Sequence, residues 1–191
     1  MGEPATRPKM TIEEYLAFEH AADVRHEFIN GEAYAMSGGT SEHAVISTNI
    51  LGALFVRLRG RRCRPINSDQ RVFVPATEAF FYPDISVVCG GFEHADRDPN
   101  GIVNPKVIVE VLSPSTSGHD LGIKFQHYRR LATLEAYVLV HAEDRRIEHR
   151  QRLDDGSWLI REVTEGDLAL PALDIAIPLD EIYDLTDVRP G

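Results

Sequence analysis

The sequence predicts a mixed α/β (α+β) fold in which a central mixed β-sheet is flanked by helices. The first observation is the order of its periodic segments: strands come in groups of two or three between helices, whereas a doubly wound parallel fold alternates them singly. The second is an N-terminal helix followed by a β-hairpin. The third is size, because 191 residues with 43% hydrophobic content suffice for one domain with its own core. We therefore expect residues 1–191 to form a single domain, with residues 1–9 as a flexible leader.

Local signals place the elements along the chain. Thr11 followed by Glu14 has the form of a capping box, so a short helix begins near residue 11. Asn30-Gly31 lies between two apolar stretches and is the strongest short signal for a hairpin. Periodicity predicts the remaining elements in this order: a helix over 41–59, strands over about 64–74, 80–89 and 106–112, a helix over 119–132, strands over 136–140, 146–152 and 158–163, and a short helix around 179–185. The glycine- and acid-rich stretch 90–104 is expected to be a connection.

Composition limits the functional classes. The formal net charge of −10 argues against a protein that coats nucleic acid, because affinity for phosphates comes mostly from Lys and Arg. An enzyme is less affected, since metal ions and a local basic patch can offset the repulsion. Such a patch lies at the C-terminal end of the 41–59 helix, where nucleic-acid contact and a plain solvated face are equally supported. Its members are Arg57, Arg59, Arg61, Arg62 and Arg64.

Compartment and redox state follow from two absences in the sequence. No apolar run approaches the roughly 18 residues of a membrane span, and the N-terminus lacks the apolar region of a signal peptide, so we expect a cytoplasmic protein without membrane association. Cys63 and Cys89 form no metal-binding or framework pattern. We expect two inert thiols rather than a disulfide.

Two acidic residues inside strand-like apolar runs carry the chemistry. Asp84 and Glu110 would be costly to bury alone, so each requires a partner, a metal ion or a solvated cleft. If their strands are neighbours, the two carboxylates meet at one end of the sheet. Together with the backbone carbonyl of Val111, they would supply oxygen ligands suited to Mg²⁺ or Mn²⁺. The alternative is that Asp84 caps a turn while Glu110 pairs with an arginine.

Lys124 is the only charged residue on the apolar stripe of the 119–132 helix, a stripe that also carries Tyr128. Asp120 lies four residues earlier and would hold the ammonium as an ion pair. One interpretation is that Lys124 extends along its stem to solvent. The other is that it points into the carboxylate cleft, where it would orient a nucleophilic water or neutralise developing charge.

Three further residues are candidates for supporting roles. His43 shares the inward stripe of the 41–59 helix, which favours a satisfied core histidine and leaves contact with the carboxylates or a substrate phosphate as the alternative. Glu27 and Glu32 lie on the Asn30-Gly31 hairpin. Either would add a third carboxylate to the site, although solvation at a sheet edge would also explain both.

Taken together, these residues resemble the PD-(D/E)XK nuclease superfamily, whose signature is Pro-Asp on one strand and Asp/Glu-x-Lys on the next. Pro83-Asp84 matches the first half, and Glu110-Val111-Leu112 matches the second except that Leu112 stands in the lysine position. Within that superfamily the chain resembles the Uma-type restriction endonucleases over most of its length. The ordered set that carries this resemblance is the Thr11–Phe18 helix, Glu27–Glu32, Ser41-Glu42-His43, Tyr82-Pro83-Asp84, Val109–Thr116, Asp120-x-x-x-Lys124-x-x-x-Tyr128 and the strand near Tyr137.

The resemblance implies a restriction-endonuclease-like core and Mg²⁺-dependent hydrolysis of DNA phosphodiester bonds. It also implies that Lys124, on the neighbouring helix, replaces the lysine missing at Leu112. Cutting both strands of a duplex with one site per chain suggests a homodimer. Two other classes remain open: a catalytically inactive nucleic-acid or protein-binding module on the same fold, and a metal-dependent hydrolase of small phosphate esters.

Overall fold

A computed structural model of the chain describes residues 9–36, 38–112 and 119–188, including every side chain in these ranges except those of residues 119–121. The expected leader therefore lies almost wholly outside the described residues. The helices of the described chain are α1 Ile12–Ala21, α2 Ser41–Leu58, α3 Phe125–Tyr128 and α4 Leu179–Ile182. A π-helical turn, His119–Lys124, leads directly into α3. The strands are β1 His26–Ile29, β2 Glu32–Ala35, β3 Cys63–Asn67, β4 Arg71–Val74, β5 Ala79–Phe81, β6 Ile85–Cys89, β7 His94–Ala95, β8 Asp98–Ile102, β9 Val107–Leu112, β10 Ala136–His141, β11 Ile147–Arg152, β12 Trp158–Val163, β13 Asp167–Leu170 and β14 Ile175–Pro178.

The strands form two six-stranded mixed sheets, which confirms the predicted fold class. Sheet I has the order β2-β1-β5-β4-β8-β7 and sheet II the order β12-β11-β10-β9-β6-β3, while β13 and β14 pair separately. The sequence predicted one strand over 64–74 and one strand over 80–89, and both predictions are wrong. Each divides into two, with one half in each sheet (β3 and β4; β5 and β6), because short turns let the chain cross between sheets. The stretch 90–104 contains β7 and β8 rather than a simple connection.

The N-terminal elements form as their sequence signals predict. Thr11 accepts from the Glu14 backbone N–H, and the Glu14 side chain accepts from the Thr11 N–H, which completes the capping box. Asn30 and Gly31 both have positive φ, 53° and 86°, as a two-residue type I′ hairpin turn requires. The close approach of the Lys9 side chain to Gly31 also requires glycine there, since a Cβ would lie 2.7 Å from Lys9 Cβ.

The layers bury three apolar clusters. Helix α1 covers the outer face of sheet I through stacked rings, with the centroids of Tyr15 and Phe28 4.6 Å apart. A second cluster fills the space between the two sheets, where Phe81 of sheet I contacts Tyr128 of α3 with centroids 4.9 Å apart. Helix α2, α4 and the β13–β14 hairpin cover the outer face of sheet II. The middle cluster positions the functional site, because it surrounds α3 and the inner faces of both sheets.

Two further expectations are corrected by the structure. Cys63 and Cys89 form a disulfide, so the expectation of free thiols is wrong; they lie directly opposite each other on the antiparallel strands β3 and β6. The helix predicted over 119–132 ends at Tyr128 and begins as a π-helical turn. Among the described residues, no helix combines the length and apolar character needed to cross a membrane.

Candidate functional site

Asp84 and Glu110 lie opposite each other at one end of sheet II. Strands β6 and β9 are antiparallel neighbours, which is the condition under which the two carboxylates are expected to meet; Ile85 lies opposite Val109, so the same register sets Asp84 against Glu110. The Asp84 N–H donates to Glu110 Oε2 at 3.4 Å, and the Val111 N–H donates to Asp84 Oδ2 at 2.7 Å. Each carboxylate thus accepts a hydrogen bond from a backbone amide of the opposing chain segment.

Lys124 is buried against Glu110. Its Nζ lies 3.2 Å from Glu110 Oε1, and the hydroxyl of Tyr128 donates to the same oxygen at 3.2 Å. Lys124 is 6% exposed and Glu110 is 3% exposed, so the ammonium does not extend to solvent. Glu110 thus pairs with Lys124, and the alternative that Lys124 extends along its stem to solvent is wrong. The π-helical turn ends at Lys124 and delivers it to the inner face of sheet II.

Glu27 adds a third carboxylate from the opposite sheet. Its Oε1 lies 2.8 Å from Lys124 Nζ, and both side chains are 8% exposed. One ammonium thus bridges Glu27 of sheet I and Glu110 of sheet II. Asp84, Glu110, Lys124 and Glu27 form what we call the carboxylate–lysine cluster. With its groups ionised, the cluster carries a net charge of −2, which favours a cation or a proton donor close by.

His43 contacts the cluster from the first turn of α2. Its Nε2 lies 3.1 Å from Asp84 Oδ2, and its side chain is 20% exposed, so it lies at the edge of the site and not in the core. Thr40 caps the helix by accepting from the His43 N–H. A Cβ at Gly39 would lie 2.6 Å from His43 Nδ1, so the absence of a side chain at Gly39 leaves room for this ring position.

Several predicted residues are not part of the described cluster. Glu32 is exposed on β2, and its Oε2 accepts from the Tyr34 hydroxyl at 2.6 Å. The Asp120 side chain lies outside the described part of the chain, so its pairing with Lys124 stays a prediction. Val111 contributes its N–H to Asp84, and a ligand role for its carbonyl also stays a prediction.

The arginine patch is largely occupied with contacts inside the protein. Arg57 forms a two-point ion pair with Glu181 at 2.6 and 2.8 Å, and this hydrogen bonding raises the pKa of Arg57. Arg61 and Arg64 donate to backbone carbonyls of distant segments. Arg59 lies over the ring of Phe55. Contact with nucleic acid would therefore compete with existing partners at most of these positions.

Sequence reasoning missed a buried polar network behind the Tyr82-Pro83-Asp84 segment. The Tyr82 hydroxyl donates to Glu19 at 2.8 Å and accepts from Arg71 at 3.0 Å, while Arg71 pairs with Asp98 at 2.7 Å. Burial raises the pKa of Tyr82 to about 12, with further effects from Arg71 and Glu19, so the phenol stays protonated. The network fixes the chain two residues before Asp84. The only signal in the sequence was the tyrosine preceding the Pro-Asp pair.

The donor set suits a hard divalent cation. Across residues 9–36, 38–112 and 119–188, no group of three or more Asp, Glu, His or Cys side chains is arranged to enclose a metal ion. Mg²⁺ does not need such a cage, because one or two carboxylates commonly hold it while waters and substrate phosphates complete its shell. The described hydrogen bonds to the Asp84 carboxylate all end on Oδ2. Asp84 and Glu110 thus have the oxygen chemistry that this ion prefers.

Comparison with known proteins agrees with this architecture. The solved structure of a "putative nuclease belonging to DUF820" from Anabaena variabilis superposes with a TM-score of 0.74, covering 91% of this chain and 97% of that chain at 14% identity. Two uncharacterized proteins of Synechocystis are 36% and 33% identical to this chain. The first alignment covers 92% of each sequence, and the second covers 83% of this chain and 90% of the relative.

The structural neighbour shares the fold of this chain, which is an α/β fold with two mixed sheets and flanking helices. The particular family follows from residues 12–180, which match the model of the Uma2 family, described as "Putative restriction endonuclease". The chain belongs to the Uma2 family.

Proposed function

We propose that this protein is a Mg²⁺- or Mn²⁺-dependent endonuclease that hydrolyses DNA phosphodiester bonds. The observation that carries the proposal is the position of Glu110, a buried carboxylate whose two oxygens contact the Asp84 amide on one side and Lys124 on the other. A carboxylate pair beside a buried ammonium combines groups for binding a cation with a group for charge stabilisation.

In this proposal Asp84 and Glu110 hold the metal ion, with the Val111 carbonyl as a further ligand. When bound, the ion would polarise the phosphodiester and favour ionisation of water. The Lys124 ammonium, held by Glu27 and Glu110, orients the attacking water and neutralises negative charge that develops on the phosphoryl oxygens. Because these contacts hold Lys124 before substrate arrives, little reorganisation is needed during the reaction.

Tyr128 and His43 have positioning roles. The Tyr128 hydroxyl donates to Glu110 Oε1 and fixes the orientation of that carboxylate. The His43 ring contacts Asp84 Oδ2 and so restrains the orientation of the carboxylate that would bind the metal ion. Glu27 restrains Lys124 without contact to the reacting atoms.

The comparisons support the proposal through what their names say. The family description is that of a restriction endonuclease, and the Anabaena neighbour is titled a nuclease. We further propose that the protein acts in the cytoplasm as a homodimer, since two sites would cut both strands of a duplex. Light scattering of the purified protein tests the dimer directly.

The test of the activity compares metal binding and cleavage in the same preparations. Calorimetric titration of Mn²⁺ and Mg²⁺ and nicking of supercoiled plasmid are measured for the parent, for Asp84→Asn and for Asp154→Asn. We expect the parent to bind and nick, Asp84→Asn to lose both, and Asp154→Asn to keep both. The control is matched because Asp154 is exposed in the turn between β11 and β12 and undergoes the same change to an amide.

Two outcomes would contradict the proposal. Nicking by Asp84→Asn at the parental rate, or nicking that persists in a chelator, would remove the metal site from the mechanism. A parent that neither binds these ions nor nicks would favour the catalytically inactive binding module on the same fold.

A further inference from the structure

Tyr34 lies beside the carboxylate–lysine cluster at the open edge of sheet I. It is the cross-strand partner of Glu27 in the hairpin, so both side chains project from the same face. Directly opposed side chains of this kind have Cβ atoms about 5 Å apart. Glu27 is 6% exposed, whereas Tyr34 is 46% exposed. One residue of this cross-strand pair is therefore buried in the cluster, and the other is exposed to solvent.

The ring of Tyr34 is held at this edge. Its hydroxyl donates to Glu32 Oε2 at 2.6 Å, and this hydrogen bond raises the pKa of Tyr34, so the phenol remains a donor. Strand β2 is the outermost strand of sheet I, and among the described residues β1 is the strand that pairs with it. An aromatic ring that is both restrained and exposed loses little conformational entropy when a flat ligand packs on it.

The negative charge of Glu32 and the aromatic ring of Tyr34 determine which ligands can pack at this edge. The Glu32 carboxylate repels phosphates, so the surface is unsuited to the charged backbone of a nucleic acid. A nucleobase is uncharged and flat, and it stacks on tyrosine irrespective of sequence. Bases inside a duplex are already stacked on their neighbours and present only their edges in the grooves.

We infer that Tyr34 stacks on an unpaired base next to the scissile phosphate, so that the site selects DNA with unpaired nucleotides at the cleavage point. The inference rests on the proposed nuclease function and adds its substrate class. It makes Tyr34 a substrate-contact residue and Glu32 the residue that orients it, which gives the exposed Glu32 a role outside metal binding.

The test measures binding without requiring turnover. A labelled single-stranded oligonucleotide and a duplex of the same sequence are titrated with protein in Ca²⁺, with fluorescence anisotropy as the readout. We expect Tyr34→Ala to bind the single strand roughly tenfold more weakly, with duplex binding unchanged. Tyr34→Phe, which keeps the ring, should bind like the parent. Phe55→Ala is the matched control, because Phe55 is an exposed aromatic residue on α2.

A spectroscopic variant detects the stacking itself. Trp158 is the only tryptophan, so Trp158→Phe combined with Tyr34→Trp places one fluorophore at the proposed contact. Single-stranded oligonucleotide should quench it, while an oligonucleotide of abasic sites should not. Equal single-strand binding by Tyr34→Ala and the parent, or equal quenching by the oligonucleotide of abasic sites, would overturn the inference. Plasmid nicking by the parent would in that case still support the proposed nuclease. Base-dependent quenching in a protein that never nicks would support stacking of Tyr34 on a base but refute the nuclease, and with it the selection of a cleavage point. No nucleic-acid binding by the parent would refute both.

Discussion

Lys124→Met should destabilise the protein strongly, because methionine fills a similar volume but removes the ammonium that Glu27 and Glu110 both contact. The two ion-pair distances are 2.8 and 3.2 Å, and all three side chains are at most 8% exposed, so solvent screens these charges little. Removing one partner from such a buried arrangement typically costs about 3–5 kcal/mol. In a chain of this length that loss corresponds to a fall in Tm of about 10 °C.

Urea denaturation near neutral pH is the appropriate assay. The expected deficit of Lys124→Met arises because two buried carboxylates lose the ammonium between them and repel each other. The double variant Lys124→Met with Glu27→Gln should be less destabilised than the sum of the singles, by on the order of 1–3 kcal/mol.

A small loss of stability would refute this reasoning. If the free energy of unfolding of Lys124→Met is within about 1 kcal/mol of that of the parent, Lys124 behaves as an exposed side chain and the cluster geometry is wrong. Additivity of the two substitutions would show that Lys124 and Glu27 do not interact.

Three further perturbations test other parts of the structure. Arg71→Met should lower the free energy of unfolding by about 3 kcal/mol in urea melts, because it removes a cation from the buried Asp98 carboxylate, whose side chain is 3% exposed. Burial lowers the pKa of His149, so the folded protein holds it neutral; its contribution to stability is present above about pH 6.5 and is lost as pH falls below that value. His149→Gln should therefore unfold at a lower pH than the parent in an acid titration followed by circular dichroism. Replacing Cys63 and Cys89 by serine should cost about 3 kcal/mol, measured by denaturation without reductant, because the disulfide closes a loop across 26 positions.

The matched control for Arg71 is Arg25→Met. Arg25 pairs with Asp69 at the surface, where the two side chains are 44% and 68% exposed, so its removal should cost less than about 1 kcal/mol. Equal effects at the two arginines would contradict the role assigned to burial. For the disulfide, identical stability of the serine variant and the parent would show that the cross-link is absent in solution.

Signals read within one element predicted the structure well. The capping box and the Asn30-Gly31 turn are satisfied by residues only a few positions apart, so the sequence contains every group involved. The proximity of Asp84 to Glu110 was predictable once the two strands were taken to be neighbours, because Asp84 opens its strand and alternation gives Glu110 a defined face.

Features that depend on sheet order could not be predicted. Glu27 and Glu32 flank the same turn, and only the position of β1 between β2 and β5 buries the first and exposes the second. The disulfide depends on the register that sets Cys63 against Cys89. The position of Lys124 on the apolar stripe of its predicted helix gave the reason to examine it, but its proximity to Glu27 required knowledge of how the two sheets face each other.

The ion pairs of Lys124 with Glu27 and Glu110 can form only after all three residues have been synthesised and both sheets have folded. Glu27 leaves the ribosome early in synthesis, while Glu110 and Lys124 follow much later, and the cluster exists only once both sheets have closed around α3. A nascent or proteolysed fragment that contains one sheet therefore lacks the other side of the site. For a protein proposed to cut DNA, this dependence confines reactivity to fully assembled molecules without any separate inhibitor.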